Sequence, residues 1–134
     1  MSVVDASVLV DALVDGGAAG NAARNALRTL HAIEVPALFG AEAVSVLRRR
    51  VARGELDPRR AAVALNQIRG VRAIRYPFEP FAQRAWELRG NLTVYDAWYV
   101  ALAEWLGTDL ITADQTLLRA AGPRCPVRRP GEHA

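Results

Sequence analysis

Short apolar runs that are typical of buried strands alternate with amphipathic helical segments along the chain. This alternation predicts an α/β fold with a parallel sheet of four or five strands. The predicted strands cover residues 1–4, 33–35, 71–76, 109–112 and, as a short edge strand, 126–128. The predicted helices cover residues 7–14, 20–30, 37–53, 57–70, 80–89, 93–106 and 114–121.

The length of 134 residues fits one domain with one core. We expect that domain to span residues 1–129 and residues 130–134 to form a disordered tail. The single cysteine, Cys125, excludes an internal disulfide, and a cytoplasmic, reducing location is expected. No apolar run has the length of a membrane span, and the first residues lack the basic start of a signal peptide.

The charge distribution along the chain is uneven, and every basic residue other than the two histidines is an arginine. Residues 48–75 contain nine arginines and two acids, a net charge of +7, whereas the rest of the chain has a net charge of −4. An anionic partner is only weakly indicated by the overall charge of +3. The acidic remainder suggests instead that its carboxylates converge on a positive group.

Four acids stand among apolar or small neighbours, where a charged side chain is costly to bury. Asp5 ends the first strand, and Asp114 directly follows the strand that contains Leu110. Glu42 and Asp96 lie in the first turns of two predicted helices. In a parallel sheet all four can point into the crevice at the carboxyl ends of the strands.

Each of these acids also has a simpler explanation. Asp5 and Asp114 are placed to cap the helices that follow them. Thr93 and Asp96 form a T-x-x-D pattern, which occurs in a variant of the capping box. Glu42 could face solvent or reach an arginine.

Four carboxylates without a lysine to balance them indicate a bound cation. Ligands that are all oxygen suit Mg²⁺ or Mn²⁺ better than zinc. His31 and His133 lie away from the four acids. The missing lysine excludes receiver-domain and most aspartyl-phosphatase chemistry, and no P-loop or G-x-S-x-G elbow is present. The mechanism that remains is metal-assisted hydrolysis of phosphodiesters, with water as the nucleophile.

The sequence resembles the PIN-domain family, in particular the VapC-type toxins of bacterial toxin–antitoxin pairs. The resemblance covers essentially the whole chain. It is carried by Val4–Ser7, by Glu42 in its helix, by the run Leu92–Ala103 and by Leu110–Asp114. The Tyr-Asp-Ala run followed by Thr-Ala-Asp is its most specific part.

The resemblance implies an endoribonuclease that depends on Mg²⁺ or Mn²⁺ and acts on tRNA, rRNA or mRNA. It implies a three-layer α/β/α sandwich, usually a homodimer, with a small antitoxin whose tail covers the site and often brings an arginine to the acids. By position, the metal-binding and catalytic acids are Asp5, Glu42, Asp96 and Asp114. Thr112 and Ser7 match supporting positions. Thr116 departs from the pattern, because a basic residue is expected there.

Further residues are assigned by their surroundings in the sequence. Arg48 and Arg49 lie on a helix face that is typically solvated but could carry RNA phosphates, and Arg49 is also an alternative partner for Glu42. Arg89 and Asn91 precede the Asp96 helix and are predicted to contact RNA.

Two predictions concern helices that flank the four acids. Asp11 is predicted to lie at the surface or to face an antitoxin. Tyr99, Trp98 and Trp105 are at helical spacing and are predicted to be core or dimer contacts.

Two other functions remain open at this point. The first is a nuclease of the same fold with a housekeeping role on RNA or DNA. The second is a non-enzymatic module that keeps its acids to bind an arginine of a partner. A neighbouring antitoxin gene would favour the toxin, and loss of cleavage in an Asp96→Asn variant would favour an enzyme.

Overall fold

The computed structural model describes residues 1–132, and its strands form one sheet in which all neighbours are parallel. The spatial order is β3-β2-β1-β4-β5. The predicted α/β fold with a parallel sheet is therefore confirmed. The strands are β1 (Val3–Val4), β2 (Ile33–Pro36), β3 (Ala73–Tyr76), β4 (Leu110–Ile111) and β5 (Val127–Arg128).

The helices follow the predicted order, with shifted ends. They are α1 (Ala6–Val14), α2 (Ala18–Arg28), α3 (Phe39–Ala52), α4 (Pro58–Arg69), α5 (Ala82–Glu87), α6 (Val94–Leu106) and α7 (Gln115–Arg119). The helix predicted for residues 80–89 is divided into a 3₁₀ turn, Glu79–Phe81, and α5. Pro80 lies in that turn, where it has no amide hydrogen to donate to a continuous helix.

The helices form two layers around the sheet. In one layer α1 packs against α2, α3 and α4. In the other, α6 packs against α5 and covers β1, β2 and β4. Every residue of α6 from Ala97 to Ala103 is buried, which explains why this helix is apolar on all sides. The three-layer α/β/α sandwich is confirmed.

The strand order reverses at β1, because the chain moves outward through β2 to β3 and then returns to the other side of β1 as β4. Such a reversal opens a crevice at the carboxyl ends of the two strands that flank it. Val4 of β1 is in register with Ile111 of β4, and the Asp5 amide donates to the Ile111 carbonyl oxygen over 2.9 Å. Asp5 and Thr112 therefore leave the sheet side by side.

Helix α2 begins two residues earlier than predicted because Gly20 packs inside its first turn. The Gly20 amide donates to Oδ2 of Asp15 over 2.6 Å. A Cβ atom at Gly20 would lie 1.8 Å from the carbonyl oxygen of Asp15, so this position requires glycine. The contact fixes the turn between α1 and α2.

The chain after β5 continues in a turn, in which the Glu132 amide donates to the Arg129 carbonyl oxygen over 3.1 Å. His133 and Ala134 lie outside the described residues, so the disordered tail predicted for residues 130–134 stays a prediction. Within residues 1–132 no helix is both long and apolar enough to cross a membrane.

Candidate active site

Four carboxylates line one cavity of about 200 Å³ at the carboxyl ends of β1 and β4. They are the four acids that the sequence singled out, so the structure brings all of them together. The complete lining consists of Asp5, Ala6, Ser7, Glu42, Ser45, Val46, Arg49, Asp96 and Asp114.

Asp5 is the most buried of the four acids, with 6% of its surface exposed. Its Oδ2 atom accepts hydrogen bonds from Ser7 Oγ over 2.6 Å and from Thr112 Oγ1 over 2.9 Å. Although Asp5 stands at the N-cap of α1, its side chain makes no capping hydrogen bond. The capping explanation for Asp5 is therefore wrong, and its carboxylate belongs to the cavity.

Thr112 connects Asp5 to Asp114. Its hydroxyl donates to Asp5 and accepts from the Asp114 amide over 3.0 Å. The Ser7 hydroxyl makes a parallel link, since it accepts from the Ala113 amide over 3.3 Å. Two hydroxyls thus tie the end of β1 to the segment that follows β4.

Glu42 is held by a residue of another helix. The hydroxyl of Tyr99 in α6 donates to Oε1 of Glu42 in α3 over 3.2 Å. Glu42 therefore neither faces open solvent nor forms an ion pair with Arg49. Tyr99 is fully buried, and its hydroxyl reaches the cavity from the core.

Asp96 and Asp114 stand at helix starts. The Thr93 hydroxyl caps α6 by accepting from the Asp96 amide over 3.2 Å. Asp114 caps α7, because its Oδ1 atom accepts from the Thr116 amide over 2.8 Å. Asp114 is confirmed as a cap, whereas at α6 the cap is provided by the Thr93 hydroxyl; both acids nevertheless line the cavity.

Burial and mutual repulsion make these carboxylates hard to ionise. Burial, and then the charge of Asp5, raises the pKa of Glu42 to about 7. Burial, followed by the charges of Asp5 and Asp114, raises the pKa of Asp96 to about 6. Burial likewise raises the pKa of Asp5, against the opposing effect of its two hydroxyl donors.

None of the four acids forms an ion pair with an arginine in the part of the chain that the structure describes. The cavity therefore concentrates negative charge that the described residues leave uncompensated. Carboxylate and hydroxyl oxygens are a donor set that suits a hard divalent cation. Among residues 1–132 no three acidic, histidine or cysteine side chains already stand in a joint ligand arrangement. Ion binding would thus require Glu42, Asp96 and Asp114 to approach Asp5, whose Oδ2 atom is held by Thr112 and Ser7.

The sequence model of the PIN domain matches residues 2–123. The chain belongs to the PIN-domain family. A VapC ribonuclease of Mycobacterium bovis is 40% identical to it and covers 95% of this chain and 96% of its own length. This similarity identifies the chain as a VapC-type member of the family.

Solved structures share the PIN fold of this chain. A protein of Pyrobaculum aerophilum superposes with a TM-score of 0.69 at 26% identity, covering 95% of this chain and 82% of its own. A toxin–antitoxin complex from Klebsiella pneumoniae gives a TM-score of 0.61 at 20% identity, covering 99% of this chain and all of the matched chain.

The arginines and the amide predicted to contact RNA lie in different surroundings in this PIN domain. Arg49 lines the acidic cavity, whereas Arg48 lines an apolar groove between α3 and α4. Arg89 stacks over the Trp86 ring and donates to its carbonyl oxygen, and Asn91 donates to the Ala121 carbonyl oxygen. Of the four, only Arg49 is part of the cavity; the RNA contacts themselves stay predictions.

The prediction that Asp11 lies at the surface is wrong. Only 8% of the residue is exposed, and its Oδ1 atom forms an ion pair with Nη2 of Arg50 at 2.5 Å. Asp11 faces α3 because α1 is enclosed by three other helices. The pair joins α1 to α3 and leaves Asp11 outside the acidic cavity.

Four residues of the site were absent from the predicted set, namely Ala6, Ser45, Val46 and Tyr99. Ser45 and Val46 follow Glu42 by three and four positions, so helical periodicity could have placed them beside it. Tyr99 follows Asp96 by three positions in α6, which also puts the two on one side. Because Tyr99 is an aromatic residue in an apolar helix, the sequence pattern did not indicate that its hydroxyl makes a polar contact.

Proposed function

We propose that this VapC-type PIN domain is an endoribonuclease that hydrolyses RNA phosphodiester bonds and serves as the toxin of a toxin–antitoxin pair. The observation that carries this function is the convergence of Asp5, Glu42, Asp96 and Asp114 on one cavity, where no arginine of residues 1–132 forms an ion pair with them. The similarity to a VapC ribonuclease supports RNA as the substrate.

A divalent cation, Mg²⁺ or Mn²⁺, belongs to the proposal. When bound, such an ion lowers the pKa of water and neutralises charge on the reacting phosphate. Asp5, Asp96 and Asp114 would hold it, with Glu42 helping to hold it or to position the water. The uncompensated negative charge of the cavity supports this assignment, because a bound cation would remove the repulsion among the carboxylates.

The remaining residues of the site orient these carboxylates. Thr112 and Ser7 fix the Oδ2 atom of Asp5, which leaves the rotation of that side chain little freedom. Tyr99 donates to Oε1 of Glu42, so Oε2 is the atom that would be available to a water molecule or an ion. Thr93 fixes the start of α6 and hence the position of Asp96.

A small antitoxin is the proposed protein partner. The fold shared with the toxin–antitoxin complex from Klebsiella pneumoniae supports it, as does the VapC-type relationship. An antitoxin segment that brings an arginine to the cavity would neutralise the four carboxylates and exclude RNA. We also propose a homodimer that acts on RNA in the cytoplasm.

The decisive experiment compares cleavage of tRNA, rRNA and mRNA by the wild type and by Asp96→Asn. We expect the wild type to cleave RNA with Mg²⁺ or Mn²⁺, to stop when a chelator is added, and to lose this activity in the folded variant. Glu55→Gln is the matched control, because Glu55 is exposed and lies outside the cavity. Cleavage by Asp96→Asn at the wild-type rate would refute the proposed site, and sequencing the cleaved ends would identify the RNA.

A further inference from the structure

Three consecutive arginines of α3 point into three different surroundings. Arg48 lines the apolar groove between α3 and α4, and Arg50 is paired with Asp11 of α1. Arg49 alone lines the acidic cavity. Successive residues of a helix are rotated by about 100° around its axis, so these three side chains cannot all face the same neighbours.

Arg49 shares one face of α3 with the acid of the cavity. Glu42, Ser45 and Arg49 lie at positions i, i+3 and i+7, and all three line the cavity. Nη1 of Arg49 donates to the hydroxyl of Ser45 over 3.1 Å. This hydrogen bond positions the guanidinium group along the cavity wall.

Arg49 stands beside four carboxylates and forms an ion pair with none of them within residues 1–132. Its positive charge and its remaining N–H groups are therefore available to an incoming anion. The guanidinium group presents a planar fork of donors that matches phosphate oxygens. A cation at this place also offsets the repulsion that an RNA phosphate meets on approaching four carboxylates.

We propose that Arg49 binds the RNA phosphate adjacent to the phosphodiester that is cleaved. Because the guanidinium group of Arg49 donates to Ser45, three residues and about 4.5 Å along α3 from Glu42, it lies to one side of the acids, which suits a neighbouring phosphate rather than the scissile one. Arg49 is thus a substrate-binding residue that sets how the strand lies across the cavity. This inference rests on the ribonuclease function proposed above.

Arg48 offers a matched control, since it is the adjacent arginine on the same helix and lies outside the cavity. Arg49→Gln, Arg49→Lys and Arg48→Gln are each made in the Asp96→Asn background, which we expect to bind RNA without cleaving it. The probe is a fluorescent single-stranded RNA that spans a site cleaved by the wild type. Its Kd is measured in Mg²⁺ over a series of NaCl concentrations, after thermal unfolding has shown that each variant is folded.

We expect Arg49→Gln to raise Kd about tenfold, the loss of one charge-assisted contact. The slope of log K against log salt should fall by about 0.7, as for one phosphate contact to a single strand. Arg49→Lys should keep the wild-type slope, because it keeps the charge. Arg48→Gln should change Kd and the slope much less than Arg49→Gln does.

An unchanged salt slope in Arg49→Gln would overturn the inference. An equal loss in Arg48→Gln would overturn it as well, because the binding would then belong to a diffuse basic surface. Neither result would contradict the proposed ribonuclease function, provided that the wild type cleaves the RNA. A wild type that cleaves no RNA would refute the proposed function itself, and the inference with it.

Discussion

The hydroxyl of Tyr99 donates to Oε1 of Glu42 over 3.2 Å and joins the two helices that carry Glu42 and Asp96. Helix α6 is anchored in the core by its buried residues, whereas Glu42 is only half-buried in the first turn of α3. The bond therefore restricts the movement of Glu42, because it links this side chain to a helix that is held in the core.

Tyr99→Phe removes this donor and little else. We expect Mn²⁺ affinity, measured by calorimetry, to fall about fivefold, because a hydrogen bond of this kind contributes about 1 kcal/mol. The matched control is Tyr95→Phe, since Tyr95 lies on the same helix with an exposed side chain. The role assigned to Tyr99 is wrong if Tyr99→Phe and Tyr95→Phe bind Mn²⁺ equally well.

The stability of the metal-free protein should decrease as pH rises from about 4 to about 7. Folding raises the pKa of Glu42 from 4.5 to about 7 and that of Asp96 from 3.8 to about 6. An acid whose pKa is raised by folding binds more protons in the folded state, so stability is lost between its unfolded and folded pKa values. Calorimetry in chelator should show this decrease in the melting temperature.

The double variant Glu42→Gln, Asp96→Asn removes both titrations and should show a flatter pH profile. Its stability should match or exceed that of the wild type at pH 8, where the carboxylates of the wild type repel each other. An identical slope in both proteins would show that other groups control the pH dependence.

Mn²⁺ should raise the melting temperature strongly at pH 8 and weakly at pH 5.5. The ion competes with protons for Glu42 and Asp96, which are largely protonated at the lower pH because their pKa values are about 7 and about 6. At a hundredfold excess over Kd, binding stabilises the fold by about 2.7 kcal/mol. A thermal shift at pH 8 that persists in Asp96→Asn would place the ion elsewhere.

Asp11 and Arg50 form a largely buried ion pair, so removing one partner should destabilise the fold. We expect Asp11→Ala to lower the free energy of unfolding in urea by about 2 kcal/mol, since it leaves Arg50 without its partner. RNA cleavage by the folded variant should remain at the wild-type level. The double variant Asp11→Ala, Arg50→Met should recover part of the lost stability, because no unpaired charge is then buried.

The sequence indicated the acids of the site because each one interrupts an apolar run. Asp11 interrupts a similar run in α1, yet its partner Arg50 lies in α3, and only the packing of the two helices shows where it points. The hydroxyl of Tyr99 was missed for a related reason. Its aromatic ring fits the apolar pattern of α6, and that pattern does not reveal that the side chain also carries a hydroxyl group.

The separation of Arg48, Arg49 and Arg50 also needed the structure. All three carry the same charge on one helix, and the +7 net charge of residues 48–75 favoured a common basic surface. The relative orientation of α1, α3 and α4 decides which arginine meets an acid, a cavity or an apolar groove. The existence of the helices and of a parallel sheet, by contrast, follows from local periodicity and from the alternation of strands and helices.

Thr112 provides the most direct test of how the cavity is held together. It is fully buried, donates to Oδ2 of Asp5 and accepts from the Asp114 amide. Thr112→Val keeps the shape of the side chain and removes both hydrogen bonds. We expect RNA cleavage to fall at least about tenfold, as is usual when a residue that orients metal ligands is lost.

Thr112→Ser tests the hydroxyl separately from the methyl group, because it keeps the hydroxyl and removes the methyl group. This variant should lose about 0.8 kcal/mol of stability with the buried methyl group and should retain most of the cleavage activity, because its hydroxyl can still bridge Asp5 and Asp114. Urea unfolding and initial cleavage rates measured on the same preparations give both quantities. If Thr112→Val cleaves as fast as Thr112→Ser, the hydroxyl bridge does not orient Asp5, and the rigidity of the site must come from the strand ends alone.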